Sequence, residues 1–330
     1  MKMKATLNKL FQLKRLNRAE ARAMLIQISE EQFNTAQIAA FLTVFQMRPI
    51  AIEELSGFRD ALLELCRPVD LQGIETLDIV GTGGDGKNTF NISTLSSVVV
   101  AGAGYKVSKH GNYGVSSVCG SSNVLEHLGY EFTNDIDQLR KQLEEANLCF
   151  LHAPFFHPAM KAVAPVRKQL GVKTFFNMLG PLVNPARPKF NMLGVFSNEL
   201  SRLYQYVLQQ TDRQYTIVYA LDGYDEISLT GRVKIRTNQS ESIYLPSDFG
   251  KAQLTPQSLH GGDTVEEAAK IFTSILQGNC TDAQRDVVAA NAGMAIHCMK
   301  PDQSILDCIA EAQESLLSKK ALEQFKKLIN

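Results

Sequence analysis

Hydrophobic side chains recur at helical spacing through the first 70 residues. Asn17, with Glu20 three positions later, is typical of a capping box at the start of one helix. Thr35 is expected to cap a second helix, and a third is predicted over 53–65. The second helix carries its apolar residues at i, i+3, i+4 and i+7, which are Ile38, Phe41, Leu42 and Phe45. The N-terminal region is therefore predicted to be helical.

After Asp70 the pattern changes to short apolar runs that alternate with helical segments. The predicted strands are Leu77–Val80, Tyr105–Ser108, Leu148–His152, Phe190–Phe196 and Tyr215–Ala220. The helices between them are expected to start near Asn91, Ser122, Ile136, His157 and Glu199. This alternation predicts an α/β fold with a mostly parallel sheet covered by helices. A further strand over 233–243 and three helices over 264–277, 283–297 and 304–329 complete the prediction.

Composition narrows the possible functions. Of 330 residues, 45% are hydrophobic and 21% are charged, which excludes a disordered or collagen-like chain. Lys and Arg together (34) balance Asp and Glu (34), and a chain with zero net charge is a poor candidate for general nucleic-acid binding. Apolar runs are too short to span a bilayer. The six cysteines form no C-x-x-C pair and no apolar signal region opens the chain, so we expect free thiols in the cytoplasm.

The densest chemical signal is the run G-T-G-G-D-G-K-N-T-F-N-I-S-T at 81–94. It follows a predicted strand and opens a predicted helix. Glycines allow backbone N–H groups to approach an anion, and the helix N-terminus adds partial positive charge. The run is neither a Walker A loop nor G-x-G-x-x-G. A plain turn before a capped helix is the alternative, but the added Asp, Asn, Ser and Thr side chains favour a phosphate cradle.

A second polar run, K-H-G-N-Y-G-V-S-S, begins at Lys109 and is followed by Gly120-Ser121. It is predicted to follow a strand, and ligands in open α/β sheets bind at the carboxyl ends of strands. Lys109 is expected to neutralise a phosphate, while serine hydroxyls and glycine N–H groups bind its oxygens. For His110, the alternative to a role in the site is a purely structural role.

Two shorter signals are weaker on their own. Arg167 lies between prolines on a predicted helix, where a single arginine is more often a surface residue than a ligand. Asp225 and Glu226 follow a predicted strand, and adjacent carboxylates suit Mg²⁺, which takes one or two carboxylates plus waters and phosphate oxygens. A solvated turn is the alternative for this pair.

Taken in order, these segments closely resemble the anthranilate phosphoribosyltransferase family. The matching motifs are G-T-G-G-D-x-x-x-T-F-N-I-S-T, K-H-G-N, P-V-R-x-x-L-G, F-N-x-L-G-P-L-x-N-P and D-E-I-S, and the resemblance runs from about Leu10 to the C-terminus. Two departures stand out. Tyr113 replaces a frequent Arg, which puts in doubt any role for an arginine there, and Asn123 replaces a frequent Asp.

The resemblance implies a two-domain architecture. A small helical domain would comprise 1–70 and an inserted helical piece at about 165–185. A larger α/β domain, over 73–164 and 186–330, would bind 5-phosphoribosyl 1-diphosphate (PRPP). The family's active site lies in the cleft between the two domains, and the family is usually homodimeric through the small domain.

The implied reaction transfers the 5-phosphoribosyl group of PRPP to the amine of anthranilate in tryptophan biosynthesis, with Mg²⁺ as cofactor. Catalytic roles fall on Lys109, His110, Asn112 and Arg167. Anthranilate would contact Gly81, Asn112 and Arg167, with His110 and Gly180-Pro181 nearby, and Mg²⁺ would be bound by Ser93, Asp225 and Glu226. The residues expected to bind PRPP are Gly81, Gly84, Asp85, Thr89, Asn91, Ile92, Ser93, Thr94, Lys109, His110, Gly111, Asn112, Ser116, Ser117 and Ser121.

Two other functions share this architecture. A pyrimidine-nucleoside phosphorylase would carry K-H-S-T-G-G, whereas Lys109-His110 is followed here by Gly111-Asn112. A relative that binds nucleic acid without catalysis would show a basic excess and eroded motifs, and this chain is neutral with its motifs whole.

Overall fold

A computed structural model describes residues 2–114 and 119–330. Contacts divide the chain into two compact units. One comprises the residues up to Val69 together with 153–185, and the other comprises 70–152 and 186–330. The piece that returns to the first unit begins at residue 153, rather than near 165 as expected from the sequence.

The first unit is helical. Its helices, numbered along the whole chain, are α1 (Met3–Phe11), α2 (Arg18–Ser29), α3 (Thr35–Met47), α4 (Ile52–Leu65), α8 (Ala153–Phe156) and α9 (Met160–Leu170). Asn17 caps α2 through the predicted capping box with Glu20. The predicted cap at Thr35 is wrong, because Asn34 caps α3. Gln37 lies three residues after Asn34 and bonds back to its N–H, which is the reciprocal contact that Thr35 lacks.

An aromatic cluster holds the returning piece against α3 and α4. Phe58 of α4 stacks on Phe175, with ring centres 4.3 Å apart and planes inclined by 15°. Phe41 and Phe45 of α3 meet Phe175 edge-on at 6.3 and 5.0 Å. Such pairs add stability beyond the apolar area that they bury. The segment 153–185 is therefore an integral part of the helical core.

The second unit is built on one seven-stranded sheet. Its strands are β1 (Leu77–Gly81), β2 (Val107–Gly111), β3 (Leu148–His152), β4 (Phe190–Gly194), β5 (Gln214–Ala220), β6 (Val233–Thr237) and β7 (Glu241–Tyr244). Their order is β3-β2-β1-β4-β5-β6-β7. The first five are parallel, and β6 and β7 form an antiparallel hairpin at one edge. The predicted α/β fold with a mostly parallel sheet is confirmed.

Helices of the second unit cover this sheet. They are α5 (Ile92–Gly102), α6 (Ser121–His127), α7 (Ile136–Ala146), α10 (Asn198–Leu208), α11 (Val265–Gln277), α12 (Asp282–Met299), α13 (Ile305–Leu317) and α14 (Lys320–Ile329). The predicted single helix over 304–329 is wrong, because Lys319 adopts φ +66° and separates α13 from α14. In the described residues, none of the helices is long and apolar enough to cross a membrane.

Strand order places a switch point between β1 and β4. The chain goes from β1 outward to β2 and β3, then returns to the other side of β1 to form β4. Ligands of open α/β sheets bind beyond the carboxyl ends of the strands at such a point. The segments that follow β1, β2 and β5 are therefore the first places to look for a site.

Candidate active site

The glycine-rich loop lies between β1 and α5, at the switch point. Gly83, Gly84 and Gly86 have φ of 62°, 77° and 74°, the left-handed region that glycine adopts without strain. The loop leads directly into the N-terminus of the 11-residue helix α5. Backbone N–H groups and the positive end of a helix dipole are thus combined in one loop, an arrangement suited to phosphate.

Two glycines make room for the acidic pair that follows β5. Gly81 ends β1 and pairs in register with Gly194 at the end of β4. A Cβ atom on Gly81 would lie 2.3 Å from the Oδ2 atom of Asp225, and one on Gly194 would lie 1.6 Å from the Asp225 carbonyl oxygen. The turn carrying Asp225 therefore packs directly on these two strand ends.

We expect Gly194→Ala to lower the melting temperature and the catalytic activity, because the added methyl group displaces the turn at Asp225. Gly231→Ala is the matched control, since its nearest neighbour, Asp222 Oδ2, would lie at an ordinary 3.5 Å. Thermal melting and an activity assay on both variants check this. Equal behaviour of the two variants would contradict the packing argument.

The acidic pair binds backbone donors of the glycine-rich loop and of α5. Oδ2 of Asp225 accepts a hydrogen bond from Gly83 N–H at 2.8 Å. Oε1 of Glu226 accepts one from Ser93 N–H at 3.1 Å. The two carboxylates, the loop and the start of α5 therefore form one polar centre, although about 140 residues separate them in sequence.

A third carboxylate, that of Asp85, joins this centre. Burial, and then the neighbouring Asp85, raises the pKa of Asp225 above its ordinary value. Burial raises the pKa of Glu226 as well, with further contributions from Asp225 and Asp85, and burial raises the pKa of Asp85. Clustered buried carboxylates are stabilised by a cation between them. Over the described residues, no group of three or more His, Cys, Asp or Glu side chains is placed to hold a metal ion by itself.

Lys109 and His110 lie within β2, not in the loop after it as the predicted strand bounds implied. The Lys109 ammonium is buried and donates to the Ile79 carbonyl oxygen at 2.5 Å. Burial lowers the pKa of Lys109 to about 8, while Asp78 and Glu226 oppose that shift. Lys109 thus acts on the acidic centre through its attraction to Glu226.

The segment after β2 brings together several expected ligands. Asn112 is exposed, and its carbonyl oxygen accepts from Ser122 N–H at 3.1 Å and from the Ser121 hydroxyl at 3.3 Å. Asn91 donates its side-chain amide to the Cys119 carbonyl at 3.1 Å, which ties this segment to the glycine-rich loop. Of the predicted PRPP ligands, Ser116 and Ser117 lie outside the described residues.

Arg167 belongs to the helical unit, on α9. Its guanidinium carbon lies 5.3 Å from the centre of the Phe176 ring, and Nη2 donates to Asn177 Oδ1 at 3.4 Å. Burial lowers the pKa of Arg167 from its ordinary value. A half-buried guanidinium held by one aromatic face and one amide keeps further N–H donors for a planar anion.

A buried histidine precedes α9 and makes the helical unit sensitive to acid. Burial lowers the pKa of His157 to about 4, opposed by a hydrogen bond with the backbone of Val183. In the unfolded chain this histidine becomes protonated near pH 6.5, whereas in the folded unit it stays neutral until the pH approaches 4. The contribution of the neutral histidine to the free energy of unfolding is therefore full above pH 6.5 and is lost as the pH falls towards 4. The loss amounts to about 3 kcal/mol when complete.

We expect His157→Gln to flatten this acid dependence, measured as the urea midpoint between pH 7.5 and 4.5. His127→Gln, at the exposed end of α6, should retain the wild-type dependence. The same acid-induced loss in wild type and His157→Gln would contradict the assignment.

Comparison with known proteins places this geometry in a family. The model described as "Glycosyl transferase family, a/b domain" matches residues 73–322, and the model described as "Glycosyl transferase family, helical bundle domain" matches 4–66. An anthranilate phosphoribosyltransferase of Cytophaga hutchinsonii is 57% identical over 99% of this chain and 100% of its own. One from Christiangramia forsetii is 58% identical over 99% of this chain and 98% of its own. The chain belongs to the anthranilate phosphoribosyltransferase family.

Solved structures agree with this membership. The anthranilate phosphoribosyltransferase of Thermus thermophilus superposes with a TM-score of 0.91 at 33% identity, covering 98% of both chains. That of Saccharomyces cerevisiae, in complex with PRPP and Mg, gives a TM-score of 0.92 at 28% identity, covering 99% of this chain and 96% of its own.

Sequence reasoning missed two residues that support the acidic centre. Asn291 of α12 accepts from Ile227 N–H at 3.0 Å and donates to the Ile227 carbonyl at 2.9 Å, which holds the backbone just after Glu226. Asp78 of β1 is fully buried and accepts from His110 N–H at 3.1 Å. The available signal was a single polar side chain in an apolar stretch, which is the stretch 287–296 of α12 for Asn291 and the strand β1 for Asp78.

Proposed function

We propose that this protein transfers the 5-phosphoribosyl group of PRPP to the amine of anthranilate, giving N-(5-phosphoribosyl)anthranilate and pyrophosphate in tryptophan biosynthesis. The observation that carries the proposal is the joining of the glycine-rich loop to Asp225 and Glu226 at the switch point of the sheet. Family membership supports the same reaction.

PRPP binds, in this proposal, along the glycine-rich loop, the start of α5 and the segment after β2. The ligands are those expected from the sequence, with Gly81, Gly84, Asp85 and Thr89 on the loop and Asn91, Ile92, Ser93 and Thr94 at α5. Lys109 to Asn112 and Ser121 complete the set among the described residues, and Ser116 and Ser117 are expected ligands that lie outside them. Departure of pyrophosphate leaves positive charge on the ribose ring, so the protein must stabilise the leaving anion. Backbone N–H groups pointed at the phosphates do this without reorganisation.

Mg²⁺ is proposed to bind at Asp225 and Glu226, with Ser93. Asp225 is buried and Glu226 is partly buried, and two neighbouring carboxylates with raised pKa values fit a divalent cation, because the cation relieves their mutual repulsion. Bound Mg²⁺ supplies charge neutralisation for the diphosphate. The positive charge of Lys109 offsets part of the negative charge of this acidic pair through its electrostatic interaction with Glu226.

Anthranilate is proposed to bind through Arg167, Asn112 and Gly81. A guanidinium forks onto a carboxylate, and an amide orients the polar groups of the ring. The aromatic amine is already unprotonated at pH 7, so the nucleophile needs no strong general base. His110 is therefore assigned a positioning role.

A homodimer in the cytoplasm, with no nucleic-acid or membrane partner, completes the proposal. Zero net charge supports the absence of a nucleic-acid partner.

The direct test follows the loss of anthranilate fluorescence on addition of PRPP and Mg²⁺ to the purified protein. We expect turnover that depends on all three components and releases pyrophosphate. A second arm supplies a pyrimidine nucleoside with inorganic phosphate. Turnover in that arm without turnover of anthranilate would refute the proposal in favour of a phosphorylase.

A further inference from the structure

The two ends of the segment after β2 meet at a single side chain. Oδ1 of Asn123 accepts from Gly114 N–H at 2.9 Å and from Gly120 N–H at 3.0 Å. Asn123 is the third residue of α6, and its contact with Gly120 is an ordinary helix-capping bond. The contact with Gly114 is different, because it reaches across to the other end of the segment.

Gly114 and Gly120 lie so close together that these two hydrogen bonds to Asn123 determine the position of both residues. A Cβ atom on Gly120 would lie 2.2 Å from Gly114 N and 2.8 Å from the Asn112 carbonyl oxygen. That same carbonyl oxygen accepts from Ser121 and Ser122. Any shift of Gly114 relative to Gly120 therefore moves Asn112 relative to Ser121.

The side chain of Tyr113, the residue after Asn112, makes a second set of contacts that hold this segment in place. The Tyr113 hydroxyl donates to Glu126 Oε1 at 3.1 Å. The Tyr113 ring meets the His152 ring edge-on at 5.0 Å, and His152 in turn stacks on Phe132 at 4.2 Å. The backbone just after Asn112 is thus held at Gly114 by Asn123 and at Tyr113 by the contacts of its side chain.

We propose that Asn123 is a positioning residue for PRPP, which holds Asn112 and Ser121 in the spacing that binds the substrate. This inference rests on the proposed function only in taking Asn112 and Ser121 as PRPP ligands. Hydrogen-bond donors that are already ordered bind a ligand without losing further conformational entropy. Without the hydrogen bonds to Asn123, the residues Asn112 and Ser121 would have to become ordered each time PRPP binds, which weakens binding. The effect should fall on PRPP affinity more than on fold stability.

The test compares Asn123→Ala, Asn123→Asp and a control. Asn123→Ala leaves two N–H groups without their acceptor and should raise the KM for PRPP about tenfold. Asn123→Asp keeps an oxygen at the same place and should restore the wild-type KM within a factor of two. The control is Asn238→Ala, because Asn238 also makes two backbone hydrogen bonds, to Tyr215 N–H and the Arg213 carbonyl, at the amino end of β5. It should lower the melting temperature and leave the KM for PRPP unchanged.

Calorimetric titration of PRPP in the presence of Mg²⁺ separates this inference from the proposed reaction. A protein that binds PRPP but does not consume anthranilate would refute the proposed reaction, while a weaker Kd in Asn123→Ala would still support the positioning role of Asn123. An unchanged KM and Kd in Asn123→Ala, with a melting shift like that of Asn238→Ala, would overturn the inference. If Asn123→Ala does not fold, Asn123→Ser, whose shorter side chain does not span both donors, takes its place with the same expectations.

Discussion

Replacing Asp225 with Asn and Glu226 with Gln together is expected to lower kcat roughly a hundred- to a thousandfold. The amides keep the size of the side chains but remove the buried negative charge that suits a divalent cation. The rate of the variant should also depend much less on Mg²⁺ concentration. Steady-state rates over a Mg²⁺ series, with PRPP and anthranilate both saturating, measure the two effects.

Melting temperatures give a readout that does not depend on activity. Mg²⁺ should raise the melting temperature of the wild type by mass action, and the double variant should lose that shift. Without Mg²⁺ the variant should melt higher than the wild type, because clustered buried charges destabilise the fold.

Asp222→Asn is the matched control for the acidic pair. Asp222 lies on the same turn, and its carboxylate accepts from the Thr230 hydroxyl. This variant should keep the Mg²⁺ response of the wild type in both assays. A double variant at Asp225 and Glu226 that retains full activity at limiting Mg²⁺ would show that the metal is bound elsewhere.

Alternation of strands and helices made the fold predictable, but the bounds of β2 show where local pattern fails. Lys109 and His110 are polar and follow Ser108, so the sequence predicts that the strand stops there. The structure continues β2 to Gly111 with both side chains buried. A lysine is tolerated inside a sheet only when partners compensate its charge, and these partners, the Ile79 carbonyl and Asp78, lie on a neighbouring strand.

In the candidate site, too, local sequence patterns predicted some features, whereas contacts between distant elements were not predictable. The glycine-rich loop was identified from sequence because closely spaced glycines among polar side chains are a local signal, and its Gly83, Gly84 and Gly86 adopt the left-handed backbone that glycine allows. The packing of Asp225 on Gly194 was not predictable, because it depends on how β4 and β5 lie side by side. The role of Asn291 was not predictable for the same reason, since an asparagine in the apolar stretch 287–296 does not indicate which backbone it will bond.

Arg167→Ala is expected to raise the KM for anthranilate by roughly ten- to a hundredfold and to leave the KM for PRPP nearly unchanged. A charge-assisted hydrogen bond contributes about 1.5–3 kcal/mol, which corresponds to that range of affinity. The structure gives Arg167 a ring and an amide as neighbours, with no carboxylate bonded to it among the described residues. Its charge is therefore available to a carboxylate ligand, as the proposed division of substrates requires.

Arg167→Lys distinguishes the shape of the guanidinium from its charge. Lysine keeps the positive charge but not the planar fork, so the KM for anthranilate should lie between those of the wild type and Arg167→Ala. Lys168→Ala removes an exposed cation from the same helix and should change neither KM. Initial rates over a grid of both substrate concentrations separate the two KM values. If Arg167→Ala instead weakened PRPP and left anthranilate unchanged, Arg167 would belong to the phosphate site, because a substrate that loses a charged partner must lose affinity.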